Sequence, residues 1–100
     1  MDYSFSMKQA GVVYKAWKQG KIEVEKHVIN KIYEFADDGI KGWSGTCFNM
    51  NHAIQDAVSL IVKDRFEEAQ RKIDYFASEL RHYEWVQSKN AKALKELHAC

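Results

Sequence analysis

The spacing of apolar and neutral residues in the last third of the chain constrains its fold more than any other feature. Phe66, Ala69, Ile73, Phe76, Leu80, Tyr83, Gln87, Asn90, Leu94 and Leu97 follow one another at alternating steps of three and four. An α-helix completes a turn every 3.6 residues, so this spacing lines them up as the a and d positions of a heptad seam. A helix over residues 65–97 would be about 50 Å long at ~1.5 Å per residue. A globular chain of this length is about 26 Å across, taken as twice its radius of gyration. Such a helix must protrude, bend or lie against a second chain. Gln87 and Asn90 form one polar layer, a device that can fix register and strand number in a coiled coil. The alternative is a break near residues 88–90, with the last ten residues folded back.

The rest of the chain also reads as helix. Over residues 6–19, Ala10, Val13, Tyr14 and Trp17 recur at i, i+3, i+4 and i+7, with Ser6 placed to cap the start and Gly20 the end. A second stripe over residues 22–36 consists of Val28, Ile29, Ile32, Tyr33 and Ala36, ended by Asp37-Asp38-Gly39. Only Gly20-Lys21 would separate these two helices, which predicts an αα-hairpin over residues 1–36. Residues 37–49 show neither period. They hold three of the five glycines together with Trp43, Cys47 and Phe48, and read as an ordered loop pinned by its aromatic residues. Asn49 or Asn51 can start a third helix over about 51–62, with Ile54, Ala57, Val58, Ile61 and Val62 on its face. Lys63-Asp64 is the expected interruption. Asp64 stands three residues before Glu67, as in a capping box at the start of helix four. The expectation is therefore a single all-α domain over residues 1–100: a hairpin, a Gly/Trp loop, and helices three and four over 50–100. The chain lacks proline, which suits helices better than a strand-and-turn fold.

Charge and hydropathy narrow the function classes. The net charge is +1, from 15 basic and 14 acidic residues. That near-balance argues against a general nucleic-acid coat or a polybasic membrane anchor. The longest apolar run, residues 57–62, is broken by Ser59 and falls far short of the ~20 residues a membrane span needs. Met-Asp-Tyr-Ser-Phe-Ser has neither the basic region nor the apolar core of a signal peptide. Cys47 and Cys100 form no disulfide framework, so a reducing, cytoplasmic setting is expected.

Motifs for chemistry are incomplete. Cys47 and His52 could reach one ion, but a closed metal site needs further ligands, and no Cys-x-x-Cys or His-Glu-x-x-His is present. Ser44, Thr46 and Cys47 precede a helix, yet the pattern Gly-x-Ser-x-Gly and its feeding strand are missing. Gly39, Gly42 and Gly45 lack the Gly-Lys-Ser/Thr ending of a phosphate-binding loop. Asp37-Asp38 and Glu67-Glu68 sit near helix ends, where carboxylates cap or complement a dipole. No catalytic residue, metal or cofactor is assigned.

A non-enzymatic protein-interaction module is the leading expectation. It would self-associate as a homo-oligomer through Phe66, Ile73, Phe76, Leu80, Tyr83, Gln87, Asn90, Leu94 and Leu97. Trp43, Phe48, Tyr75 and Trp85 are the candidate partner or ligand surface, since exposed aromatic residues are frequent interface anchors. Short helical chains of this kind are common among mobile-element and phage accessory proteins that inhibit by occupying a surface, and inhibition of a protein partner is the expected mode. A second expectation is a small nucleic-acid-binding regulator using Lys8, Lys15, Lys18, Lys21 and Lys26. Ala16, Gly20 and Ile29 match part of a helix-turn-helix pattern, whereas Lys21 and Lys26 depart from it. The third is a nucleotide or small-ligand binder, with Trp43 and Phe48 of the 39–49 loop stacking on a base.

Overall fold

The structure, a computed structural model, describes residues 2–42 and 45–98, with side chains described within 3–92. Its elements in chain order are β1 (Asp2–Tyr3), α1 (Met7–Lys18), α2 (Lys26–Asp38), β2 (Ile40–Lys41), α3 (Gly45–Val62) and α4 (Phe66–His98). The fold is all-α. The two short strands pair antiparallel, Asp2 opposite Lys41 and Tyr3 opposite Ile40. Residues 37–42 are therefore not all loop: Ile40 and Lys41 tie the start of the chain to its middle. Ile40 is completely buried and Phe5 nearly so, which explains why this edge closes on the core.

Helix α1 begins with a complete capping box. The Gln9 backbone N–H donates to Ser6 Oγ (3.2 Å), and the Ser6 backbone N–H donates to Gln9 Oε1 (2.9 Å). Two otherwise orphaned amides at the helix start are thereby satisfied. The helix ends in a Schellman motif. The Gly20 N–H donates to the Trp17 carbonyl and the Lys21 N–H to that of Ala16, with Gly20 at φ 73°.

The second helix starts at Lys26, four residues later than the pattern over 22–36 suggests. Residues 19–25 form the connection instead. Ile22 is buried within it, and Val24 is half-buried. The string Ile22-Glu23-Val24-Glu25 alternates apolar and acidic residues, which favours extended backbone over helix. Gln70 holds this backbone in place. The Glu23 N–H donates to Gln70 Oε1 (2.7 Å), and Gln70 Nε2 donates to the Glu23 carbonyl (2.9 Å). The connection is also longer than the three or four residues of a helix-turn-helix turn, so that partial pattern does not correspond to the geometry.

Helix α3 starts at Gly45, not near residue 51, so Thr46, Cys47 and Phe48 belong to its first turn rather than to a loop. The α3–α4 junction corrects a second expectation. Asp64 is not the N-cap of α4. It is the left-handed residue closing α3, at φ 59°, in a second Schellman motif. The Asp64 N–H donates to the Ile61 carbonyl (3.0 Å) and the Arg65 N–H to that of Leu60 (2.9 Å).

Helices α3 and α4 pack along each other as the main pair, with α1 against α3 and α2 against α1. Their shared core includes Val13, Ile32, Met50, Ile54, Ile73 and Phe76. Tyr83 closes the α2 side by an edge-on contact with Phe35, ring centroids 5.7 Å apart. Helix α4 runs unbroken through residues 88–90, so the helix is continuous and does not fold back there. The molecule measures 55 × 23 × 20 Å, so the far end of α4 stands out beyond the body.

Candidate interaction surfaces

The heptad seam divides into two parts with different roles. Ile73, Phe76 and Leu80 are buried, Phe66 and Tyr83 are half-buried, and all pack within their own chain. Within the chain this half is covered by α3 and, at Tyr83, by Phe35 of α2. Gln87 and Asn90 are exposed, so the expected polar layer faces solvent and is not buried inside this chain. The side chains of Leu94 and Leu97 lie outside the described residues. From Gln87 to Lys92 every side chain is exposed, and this segment forms the start of a stem.

The four aromatic candidates do not make one surface. Trp43 lies outside the described residues. Phe48 is 51% exposed and meets Tyr3 edge-on at 6.4 Å and His52 at 5.2 Å. Tyr75 is 47% exposed and lines a shallow cleft with Phe48 and His52. A hydrogen bond to the Glu79 carboxylate is the main cause that holds the Tyr75 phenol above its ordinary pKa. In the same cleft Asp56 Oδ2 lies 3.4 Å from Lys72 Nζ and 3.6 Å from His52 Nδ1, so its charge is already answered. Trp85 is elsewhere, at the root of the stem. It is 57% exposed, stacks on His82 at 6.0 Å and carries Lys89 Nζ over its ring at 5.0 Å.

The candidate lysines are all exposed, but part of their charge is engaged with aromatic rings. Lys18 Nζ lies 5.0 Å from the Trp17 ring centroid, and Lys21 Nζ lies 5.6 Å from that of Phe66. Lys8 and Lys15 share one stripe of α1, seven residues apart. Lys26 opens α2, on the far side of the 19–25 connection.

A further concavity is announced by no sequence motif. It is an open groove of about 700 Å³ between the 19–25 connection, the start of α2 and the inner part of α4. Val24, Val28 and Ala77 supply apolar surface, and Glu23, Glu25 and Asp74 supply three carboxylates against one cation, Arg81. Gln70 joins the two walls through its bonds to Glu23 and also donates to Asp74 Oδ1 at 2.9 Å. The Ile-Glu-Val-Glu alternation is the available signal, since it puts both glutamates on the side opposite the buried Ile22.

His27 Nε2 lies 2.9 and 3.0 Å from the two Glu84 carboxylate oxygens, which pins α2 to α4 just below the stem. Among the described residues no three His, Cys, Asp or Glu side chains converge as metal ligands would, and no helix is long and apolar enough to cross a membrane. Cys47 is buried in the first turn of α3, its Sγ 3.8 Å from the Lys41 carbonyl oxygen. No protein family, curated protein or solved structure matches this chain.

Proposed function

We propose that this chain is a non-enzymatic protein-interaction module that binds a macromolecular partner through the stem of α4 and acts by occupying the partner's surface. One observation carries the reading. A 33-residue helix outruns its own body, and its side chains from Gln87 to Lys92 are all exposed. An isolated helical segment shorter than ~12–15 residues is marginal in water, so an occupant that covers the stem stabilises it. Trp85 supplies a large, half-exposed anchor at its root.

The test places a photo-crosslinking benzophenone amino acid at Ser88 on the stem, with a control chain carrying it at the exposed Gln19 of the body. Irradiation in the cells that express the chain is expected to give discrete adducts from position 88 and few from position 19. Equal yields from the two positions, or none from 88, would refute the stem as the interaction element.

A further inference from the structure

One face of α4 changes its charge along its length. Gln70, Asp74, Ala77 and Arg81 line the groove described above. Continuing at helical spacing, the same face carries Glu84, Ser88, Ala91 and Lys92. The inner half of this face lies beside Glu23 and Glu25, so its surroundings are acidic. The outer half, on the stem, presents Lys92, and Ser88 and Ala91 are small enough for a close approach of two helices.

Asp74 and Lys92 stand equally far from Tyr83, nine residues to either side. At ~1.5 Å per residue each is about 13 Å along the axis from that point. Arg81 and Glu84 flank nearly the same point. A face with opposite charges mirrored about its own midpoint is complementary to a copy of itself turned end for end. We propose that the groove takes the stem of a second copy of this chain, in a reciprocal antiparallel dimer whose two-fold axis passes near Tyr83.

Each stem then lies in the partner copy's groove. Lys92 faces the other copy's Asp74, with Glu23 and Glu25 on the rim, and this contact occurs twice. Arg81 faces the other copy's Glu84, again twice, alongside the His27 contact that Glu84 keeps within its own chain. The bodies sit at opposite ends, because each body occupies only the inner half of its own α4. The overlap from residue 74 to residue 92 spans about 27 Å of helix. That is short for a permanent dimer, and much of the contact is charged. The dimer therefore belongs to the weak, salt-sensitive class. This inference rests on the stem being the interaction element and adds to it the identity of one occupant.

The experiment uses the full chain, reduced, and reads mass by sedimentation equilibrium up to about 0.5 mM protein. Dimer is expected at low salt and is expected to weaken as salt rises through the range where surface charges are screened. Asp74→Lys and Lys92→Glu are each expected to lower the association constant by about tenfold or more, because each puts like charges together twice. The mixture of the two variants is the decisive sample. In a mixed dimer the lysine introduced at position 74 of one chain meets the glutamate introduced at position 92 of the other. The second contact keeps the original Asp74 against the original Lys92, so both contacts are attractive again. A mixed dimer at wild-type strength is expected.

Circular dichroism checks the fold of each variant. If Asp74→Lys disturbs the Gln70 contact, Glu25→Lys takes its place. A wild type that stays monomeric at low salt, variants that dimerise like the wild type, or a mixture that stays monomeric would each overturn the proposal. A monomer whose Ser88 probe still gives discrete adducts with another protein would end this inference and leave the interaction reading standing. A monomer with no adducts would end both.

Discussion

Replacing Asp64 by glycine is expected to stabilise the protein, although it removes a charged side chain and adds chain freedom. Asp64 sits at φ 59° and closes α3 through the Asp64–Ile61 and Arg65–Leu60 bonds. A left-handed backbone costs an ordinary L-residue about 1–2 kcal/mol, and aspartate, with its short polar side chain, tends toward the low end. Glycine removes that cost but makes the unfolded chain more flexible, returning about 0.5–1 kcal/mol. The net gain is at most about 0.5 kcal/mol, which in a domain of this size raises the thermal midpoint by up to about 2–4 °C. The carboxylate itself has little net effect, since it follows the negative end of α3 and precedes the positive end of α4. Asp64→Asn should therefore stay within a few tenths of a kcal/mol of the wild type. Asp64→Val, β-branched at a left-handed position, should lose about 1–2 kcal/mol. Thermal unfolding of the three variants by circular dichroism is the assay. The reasoning fails if Asp64→Gly melts below the wild type. It also fails if Asp64→Asn moves as far as Asp64→Val, which would put the effect in the charge and not in the backbone.

Two further outcomes follow from named contacts. Gln70→Ala removes both hydrogen bonds to the Glu23 backbone and is expected to cost about 1–2 kcal/mol by chemical denaturation, at ~0.5–1.5 kcal/mol per bond. An unchanged midpoint would mean that the buried Ile22 holds the connection alone. The Tyr83 phenol is held above its ordinary value of 10.0, first by burial and then by its electrostatic interaction with Cys47, with Lys31 opposing and Glu34 adding to the rise. The folded chain thus keeps this proton to higher pH than the unfolded chain does. Its contribution is complete below about pH 10 and is lost as pH rises from there through the raised folded value. Tyr83→Phe should therefore unfold less readily in alkali than the wild type relative to neutral pH, and equal alkaline losses would refute the assignment.

The parts of this fold that are legible in the sequence are those where one periodicity acts alone. Helix α1 is readable because Ser6 and Gly20 mark its two ends and a single apolar stripe runs between them. The heptad seam of α4 implies a long helix, but it cannot say which molecule covers it. Ile73, Phe76 and Leu80 satisfy the same spacing whether the neighbour is α3 or a second chain, so the burial of that half inside its own body is invisible to spacing. The late start of α2 escapes notice because Ile22 and Val24 fit a helical stripe as well as a strand-like alternation. The choice is made by a distant side chain, Gln70, which local spacing cannot reveal. Asp64 has the same ambiguity: aspartate both caps helix starts and tolerates the left-handed region at helix ends. The acidic groove is hidden because its carboxylates come from distant segments, Glu23 and Glu25 lying 51 and 49 residues before Asp74.

The outrunning helix also sets how this molecule drifts and tumbles. Its longest dimension, 55 Å, is more than twice the other two, and its radius of gyration of 14.7 Å exceeds the ~13 Å of a compact chain of 100 residues. A rod-like particle meets more friction than a sphere of equal mass, so a single chain migrates through a sizing column ahead of round standards of the same mass. Early elution is thus a property of the monomer, and nuclear spins along α4 relax according to whether their bond vectors lie along or across the long axis. The reciprocal antiparallel pair lays the two long helices side by side, adding girth with little added length, so the friction ratio falls as the mass doubles.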